Sequence, residues 1–220
     1  MTTFIEGGVT AAKGFQAAGV HCGIRKNRAK KDLGLIVSDR PASAAAVYTR
    51  NLVKGAPLTV TQAHIADGRA RAIVCNSGIA NTCAFDGIEK AEAMCALTAE
   101  ALGIDAADVV VASTGVIGPS IDIAPIAAGL PRLAAALSAQ GSADAAEAIM
   151  TTDTRKKEFA VTFQADGRTC TLGGIAKGSG MIAPNMATML CFLTTDAAIA
   201  LQLLHEALLA VVDDTFNMLS

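Results

Sequence analysis

Short apolar runs that alternate with helical patterns are the feature that most constrains how this chain can fold. Four such runs are bounded by turn residues, at positions 32–39, 42–50, 71–77 and 108–115. Runs of this length, bounded in this way, are typical of buried β-strands. The segment 87–103 has helical periodicity and ends in a Gly suited to a helix C-cap. Because strands and helices are mixed and no repeat or linker divides the chain, the sequence predicts an α/β or α+β fold with a buried sheet.

The clearest local prediction is a β-hairpin over residues 157–174. Two runs that alternate in polarity flank Asp166 and Gly167, a dipeptide suited to a two-residue hairpin turn. A further strand is expected over 187–195, and Asp196 is placed to cap a helix that follows it.

Composition and charge narrow the classes of function. The chain has 220 residues, of which 52% are hydrophobic and 17% charged, and its formal net charge is −2. Such a chain can bury a substantial core, and its charge gives no reason to expect a nucleic-acid partner. The one basic segment, residues 25–31, is interpreted as a solvated loop because no aromatic residues are interleaved with its Lys and Arg side chains.

Neither a metal site nor a membrane segment is indicated. The six cysteines have no CxxC spacing and the three histidines do not cluster with them, so no metal is expected. No basic segment followed by an apolar one opens the chain, so no secretory signal is expected. The most apolar late stretch, 197–212, is too short to cross a bilayer and contains His205 and Glu206. We therefore expect a soluble, cytoplasmic protein without a membrane partner.

A Gly-rich and nearly charge-free segment at 173–196 holds the most unusual combination of residues, namely Lys177, Gly178, Ser179, Gly180, Asn185 and Thr188. It is not a Walker A loop, since its Lys precedes the Gly that should come before it. It is not a dinucleotide fingerprint, because its glycines do not open a helix after a strand. A G-x-S-x-G nucleophile elbow is also missing from the sequence.

Thr188 suggests another kind of nucleophile, a threonine hydroxyl whose base is its own α-amino group. An α-amine has a pKa of about 7.7–8.0, against about 10.4 for Lys, and is therefore partly neutral at physiological pH. The role requires cleavage of the preceding peptide bond, and the small Ala187 leaves its carbonyl open to attack. The alternative is that Thr188 is an ordinary strand residue.

Three other segments have a functional and a structural interpretation. A strand that ends in Thr114-Gly115 exposes a backbone N–H beside a hydroxyl, and these two donors can stabilise an oxyanion. The alternative is that the strand simply ends there in a turn. TTDT at 151–154 offers hydroxyls at the end of a helix, or only a local cap. CNSGIANTCAFDG at 75–87 is suited to approach a ligand, or only to turn.

Together these segments resemble the ornithine acetyltransferase family, the glutamate N-acetyltransferases of arginine biosynthesis. The likeness runs from GGVTAAKGFQAAGVHCGIRK near the start, through CNSGIANTC, ASTGVIG and TTDT, to AKGSGMIAPNMATML, in the family's order. The resemblance implies the layered αββα sandwich that this family shares with certain self-processing aminopeptidases. That fold looks like the N-terminal-nucleophile hydrolases but is wired differently.

The resemblance also implies a self-cleavage between Ala187 and Thr188. It would give an α chain of residues 1–187 and a β chain that begins at Thr188. The new N-terminal Thr would accept an acetyl group from N-acetylornithine, release ornithine, and pass the acetyl group to glutamate.

Five positions match functional residues of that family. Thr114 and Gly115 match its oxyanion hole. Lys177 and Thr151, together with Thr188, match its substrate-binding positions.

Members of the family are nearly twice as long, so residues 188–220 are expected to be the start of a truncated β chain. Three functions stay open: the acetyltransferase, a self-processed aminopeptidase or amidase of related fold, and an inactive fragment. Lys177 favours a substrate that carries a carboxylate. The resemblance implies no cofactor, leaves acetyl-CoA open as a co-substrate, and suggests a heterotetramer of two α and two β chains.

Overall fold

The structure, a computed structural model, describes residues 2–182 and 188–218. Within these ranges eight strands and five helices follow one another along the chain: β1 (Thr3–Ile5), β2 (Phe15–Val20), β3 (Leu33–Ser43), α1 (Ala56–His64), β4 (Arg69–Ile79), α2 (Gly87–Leu102), β5 (Val109–Val116), α3 (Ile123–Ala135), α4 (Ser142–Ala148), β6 (Lys157–Ala165), β7 (Arg168–Lys177), β8 (Leu190–Thr195) and α5 (Leu201–Val212).

The strands form two four-stranded sheets. Sheet I has the order β1-β6-β7-β8 and is antiparallel throughout. Sheet II has the order β2-β3-β4-β5, in which β4 and β5 are parallel and the other pairs antiparallel. Parallel neighbours need a crossover connection, which α2 provides between β4 and β5.

Sheet II is buried on both faces, and this explains its continuous apolar runs. Successive side chains of a strand point to opposite faces. In β3, Leu35 packs with Met94 of α2 and Leu130 of α3, whereas the next residue, Ile36, packs in the cluster that contains Ile175 of sheet I. Helices α1, α2 and α3 therefore cover one face of sheet II and sheet I faces the other. The layered mixed α/β class expected from the sequence is confirmed.

Two local predictions are confirmed in detail. Helix α2 ends at Leu102, and Gly103 has the left-handed backbone (φ +65°) that a C-cap glycine adopts. The hairpin β6–β7 turns on Asp166 and Gly167, whose φ values of +49° and +71° are both positive, as its two-residue turn requires.

The predicted strand over 42–50 is wrong beyond its first two residues. Ser43 pairs with Arg69, the first residue of β4, so β4 has no backbone left with which residues 44–50 could form a ladder. The pairing also shifts register between Val37 and Ala42, which bends the strand end away. Residues 44–50 consequently run as irregular chain.

Asp196 does not cap a helix, which corrects the sequence prediction. Helix α5 begins five positions later, and its N-cap is Ala200. The Asp196 carboxylate instead accepts hydrogen bonds from the backbone N–H of Thr171 at 2.7 Å and of Lys13 at 3.1 Å. These bonds hold the end of β8 against β7 and against the segment before β2. Neither α5 nor any other helix among the described residues has the length and apolar character that crossing a bilayer requires.

Candidate active site

The carboxyl ends of β4 and β5 meet at one edge of sheet II, where Gly78 pairs with Gly115. Both glycines have positive φ, +115° and +138°. A Cβ on Gly115 would lie 2.2 Å from the carbonyl carbon of Gly78, so only glycine permits this close approach of two backbones. The side chain of Thr114, the residue before Gly115, is nearly buried at this edge.

Lys177 joins this edge to sheet I. It is the last residue of β7 and is only 5% exposed. Its ammonium donates to the Thr114 hydroxyl at 3.0 Å and to the Thr151 hydroxyl at 2.7 Å. Burial lowers the pKa of Lys177 from its ordinary value, and the nearby Asp153 carboxylate opposes that shift. The result is a cation that is partly withdrawn from water between two hydroxyl groups.

Asp153 fixes the TTDT segment against the end of β7. One carboxylate oxygen accepts from the backbone N–H of Gly178 at 2.9 Å and from the Lys157 ammonium at 2.6 Å. The other oxygen accepts from the backbone N–H of Thr151 at 3.2 Å. Because this buried carboxylate holds both Thr151 and the residue after Lys177, it positions the two groups that meet in the site. No pattern in the sequence points to Asp153 as a positioning residue.

We expect Asp153→Asn to lower stability in a pH-dependent way. Burial alone would raise the pKa of the Asp153 carboxyl, but hydrogen bonds from Lys157, Gly178 and Thr151 outweigh it and lower the pKa to about 2. The ionised form therefore stabilises the folded state above the unfolded pKa of about 3.9, and this contribution is lost as pH falls towards 2. The expected loss at pH 7 is about 1 to 2 kcal/mol, since the Lys157 side chain is 46% exposed and water screens part of the interaction.

Urea denaturation at pH 7, 5 and 3 measures this loss. The difference between wild type and Asp153→Asn should shrink at the lowest pH. Asp166→Asn, in the exposed hairpin turn, is the matched control and should show little difference at any pH. A deficit of Asp153→Asn that stays constant with pH would contradict the assignment.

A cavity of about 1920 Å³ opens beside this cluster. It is lined by Thr114, Gly115, Thr151, Lys177 and Thr188, among others. Thr188 is exposed and has φ +63°, which is unusual for a β-branched residue. The structure thus brings the five described residues that the sequence analysis proposed for catalysis and substrate binding to one cavity. Their individual roles stay predictions.

The residues before Thr188 and the CNSGIANTC segment were also singled out in the sequence. Ala187, the residue before the predicted cleavage point, lies outside the described residues, as does Asn185 of the same loop. In CNSGIANTC, Asn81 is buried and its amide donates to the carbonyl of Gly87 at 2.8 Å, which supports the start of α2. Among the residues that the structure describes, no group of three or more His, Cys, Asp or Glu side chains is arranged to hold a metal ion.

The predicted division of the chain falls inside a sheet. β8, which follows the predicted cleavage point, pairs with β7 over six register positions, from Leu190 opposite Lys177 to Thr195 opposite Leu172. An α chain and a β chain separated at that point would therefore share sheet I. The division itself stays a prediction.

Curated relatives match nearly the whole length of this chain. The Arginine biosynthesis bifunctional protein ArgJ of Symbiobacterium thermophilum is 51% identical over 219 residues, which is 99% of this chain and 54% of the relative. The chain thus spans about half the length of the curated relatives it matches.

Solved structures agree. The Arginine biosynthesis bifunctional protein ArgJ of Bacillus halodurans matches with a TM-score of 0.79 at 46% identity, over 85% of this chain and 98% of that one. The ornithine acetyltransferase of Mycobacterium tuberculosis, solved in complex with ornithine, matches with a TM-score of 0.77 at 38% identity, over 86% and 100%. An L-aminopeptidase D-Ala-esterase/amidase of Ochrobactrum anthropi, a variant of the Ntn hydrolase fold, matches with a TM-score of 0.53 at 13% identity, over 93% and 68%, and shares the fold alone.

A model of a protein family matches most of this chain. It covers residues 16–220 and therefore includes every described residue of the candidate site. Together with the high identity to curated relatives along nearly the whole chain, it shows that the chain belongs to the ArgJ family.

Proposed function

We propose that this chain is part of an acetyltransferase that moves the acetyl group of N2-acetyl-L-ornithine to L-glutamate, giving ornithine and N-acetylglutamate. The acetyl group would be carried on Thr188 after cleavage of the Ala187–Thr188 bond. The relatives are described as enzymes of arginine biosynthesis, and a solved relative is described as an ornithine acetyltransferase with bound ornithine.

One observation supports the proposal most strongly. The Lys177 ammonium contacts the hydroxyls of Thr114 and Thr151 in the wall of a cavity that Thr188 also lines. An ammonium has three N–H donors, and two of them are directed to these hydroxyls. The third is suited to the carboxylate that both N-acetylornithine and glutamate carry.

The chemistry needs two acyl transfers at Thr188. In the first, the hydroxyl oxygen attacks the acetyl carbonyl carbon while its proton passes to the freed α-amine of the same residue. The C–N bond of N-acetylornithine then breaks, ornithine leaves with that proton, and acetyl-Thr188 is formed. In the second, the neutral amine of glutamate attacks the ester carbonyl carbon and the C–O bond of acetyl-Thr188 breaks. The proton of that amine passes through the α-amine of Thr188 to its hydroxyl oxygen, and N-acetylglutamate leaves.

Each transfer passes through a tetrahedral intermediate whose carbonyl oxygen becomes negative. Donors placed in advance at that oxygen stabilise the transition state. The Thr114 hydroxyl and the backbone N–H of Gly115 lie at the edge of sheet II beside the cavity, and we assign them this role.

The lengths of the matched chains support cleavage near Thr188. The Bacillus halodurans chain is about 190 residues long, since 85% of our 220 residues cover 98% of it. The Symbiobacterium relative is about 400 residues long, since 219 residues are 54% of it. A solved chain about half as long as a curated relative is the result expected from a divided precursor.

The competing enzyme is a self-processed aminopeptidase or amidase, which would pass the acyl group to water. The likeness to the Ochrobactrum anthropi protein supports this reading at the level of the fold alone. The deciding experiment is to supply the full-length protein with N-acetylornithine, with and without glutamate. Ornithine and N-acetylglutamate formed in equal amounts support the transferase, whereas acetate released at the same rate without glutamate would support the hydrolase.

Two parts of the proposal need their own measurement, namely a second acetyl donor and the assembly of the chains. The description of the relatives as bifunctional supports a second activity, and we propose acetyl-CoA as the second acetyl donor. Replacement of N-acetylornithine by acetyl-CoA measures it directly. Native mass spectrometry of the full-length protein measures the proposed assembly of two α and two β chains.

Lys177→Met is expected to weaken both substrates. The change keeps an apolar stem of similar length but removes the charge, and a hydrogen bond to a charged group contributes about 1.5–3 kcal/mol. The KM values for N-acetylornithine and for glutamate should therefore each rise by about 10- to 100-fold. Steady-state kinetics with each substrate varied in turn measures this.

Lys156→Met is the matched control, because Lys156 is an exposed lysine of the neighbouring segment and loses the same charge. It should leave both KM values close to those of wild type. If Lys177→Met left both substrate affinities unchanged while lowering only thermal stability, Lys177 would be a structural residue and not a substrate ligand.

A further inference from the structure

Arg25 departs from the prediction that the basic segment 25–31 is a solvated loop, because its side chain is partly buried whereas residues 26–30 are exposed. It lines the cavity of the candidate site. Its guanidinium donates to the carbonyl of Met150, the residue before Thr151. Its stem lies over Gly78, where a Cβ would be 3.2 Å from the Arg25 Cγ. Arg25 thus bridges the edge of sheet II and the TTDT segment.

The backbone around Arg25 is held from beneath by a buried carboxylate. Asp32, which has no exposed surface, accepts hydrogen bonds from the N–H groups of Cys22 at 2.6 Å, Gly23 at 3.3 Å and Arg25 at 2.9 Å. The His21 ring lies 3.2 Å from the same carboxylate. Both Asp32 oxygens are therefore occupied by this loop, which fixes where the Arg25 side chain starts.

The Arg25 guanidinium has no ion-pair partner in residues 2–182 and 188–218, where the seven ion pairs within 4.0 Å involve other groups. Burial lowers its pKa, and the Asp32 carboxylate opposes the shift. Burial is the main cause of the lowered pKa of Lys177, and the charge of Arg25 adds to it, so the charge of Arg25 acts on Lys177 across the site. Two neighbouring cations, partly withdrawn from water, favour a ligand with two negative charges.

The two substrates of the proposed function differ in this respect. Glutamate carries a second carboxylate at the end of its side chain, whereas N2-acetylornithine carries an ammonium at that end. A guanidinium has five N–H donors in a planar fork that suits a carboxylate, and one of those donors already bonds the Met150 carbonyl. The remaining donors would bind the carboxylate of the glutamate side chain and offer the ammonium of N-acetylornithine no partner.

We propose that Arg25 is a specificity-determining residue that binds the side-chain carboxylate of the acceptor glutamate, while Lys177 binds the α-carboxylate common to both substrates. The inference rests on the proposed function and deepens it. It gives one site a means to accept glutamate and to release ornithine after the first transfer, because the ammonium of ornithine gains nothing from Arg25.

Arg25→Gln in the full-length protein tests this, since it removes the charge but keeps a polar group. We expect the KM for glutamate to rise at least tenfold and the KM for N-acetylornithine to change by less than about twofold. Arg25→Lys should recover part of the glutamate affinity, because a point charge replaces the fork. Lys26→Gln, an exposed neighbour in the same loop, is the control and should behave as wild type.

Calorimetry of glutamate binding without an acetyl donor gives a second measurement that needs no turnover. Wild type and Lys26→Gln should bind glutamate, and Arg25→Gln should bind it at least tenfold more weakly. Equal increases in both KM values, or glutamate binding that Arg25→Gln does not change, would overturn the assignment, as would a wild type that binds no glutamate. If wild type binds glutamate but transfers no acetyl group, the proposed function fails and the calorimetric comparison alone decides the role of Arg25.

Discussion

Thr114→Ala in the full-length protein is expected to lower kcat by about 10²- to 10³-fold and to change KM little, the effect typical of losing one oxyanion donor. The direction of a hydrogen bond supports this expectation. Lys177 donates to the Thr114 hydroxyl at 3.0 Å, and an ammonium can only donate. The hydroxyl oxygen is therefore the acceptor, and its own proton is available to donate to the oxygen that becomes negative in the transition state.

Two variants distinguish the loss of an oxyanion donor from the loss of the hydrogen bond that holds Lys177. Thr114→Ser keeps the hydroxyl and should retain most of the activity. Thr151→Ala removes the other hydroxyl that Lys177 contacts, and it should act mainly on KM because it deletes no oxyanion donor. The oxyanion assignment fails if Thr114→Ala keeps the wild-type kcat, or if Thr151→Ala reproduces its kinetics.

Local structure in this chain was predictable where neighbouring residues determine it. The turn of the β6–β7 hairpin depends on two adjacent residues, Asp166 and Gly167, and on the alternation beside them, so the sequence was sufficient. The C-cap at Gly103 is local in the same way. Asp196 has the composition of a cap, but its carboxylate bonds backbone N–H groups 25 and 183 positions away, and sequence spacing gives no sign of those partners.

The candidate site depends more strongly on distant contacts. Lys177 meets Thr114 over 63 positions and Thr151 over 26. The chemistry of each short segment and the resemblance to a family pointed to these residues, but no spacing predicted that they meet. Asp153 was missed because its partner Gly178 lies 25 positions away and an acidic residue in a turn is ordinary.

The position of the Arg25 side chain could not be predicted from the composition of its segment. A cluster of basic residues is usually solvated, and the exposed positions 26–30 follow that rule. Arg25 departs from it because Asp32 draws the backbone of its loop inwards, and the side chain then extends over Gly78. Only the packing of the loop against sheet II shows this.

Thr188→Ala is expected to give one uncut polypeptide without acetyltransferase activity, since the same hydroxyl is proposed to cut the chain and to carry the acetyl group. The Thr188 oxygen would attack the Ala187 carbonyl, shift the chain to an ester, and let water release an α chain of residues 1–187. The positive φ of Thr188, +63°, is a strained conformation that costs of order 1–3 kcal/mol. Cleavage removes the preceding carbonyl and so relieves that strain, which favours the reaction.

Intact-mass spectrometry of the full-length protein, combined with the acetyl-transfer assay, measures both consequences. Thr188→Val keeps the branched shape without the hydroxyl and should also stay uncut, whereas Thr188→Ser keeps the hydroxyl and should be cut, though more slowly. Thr195→Val is a matched control, because Thr195 lies at the far end of β8 and its hydroxyl bonds the Thr171 carbonyl at 2.7 Å; it should be cut as wild type is. A wild-type protein that stays in one piece and still transfers acetyl groups would refute the N-terminal threonine mechanism. Cleaved protein without transfer would separate the two roles of Thr188, because processing needs only its hydroxyl and the bond before it, whereas transfer also needs the cations and donors of the cavity.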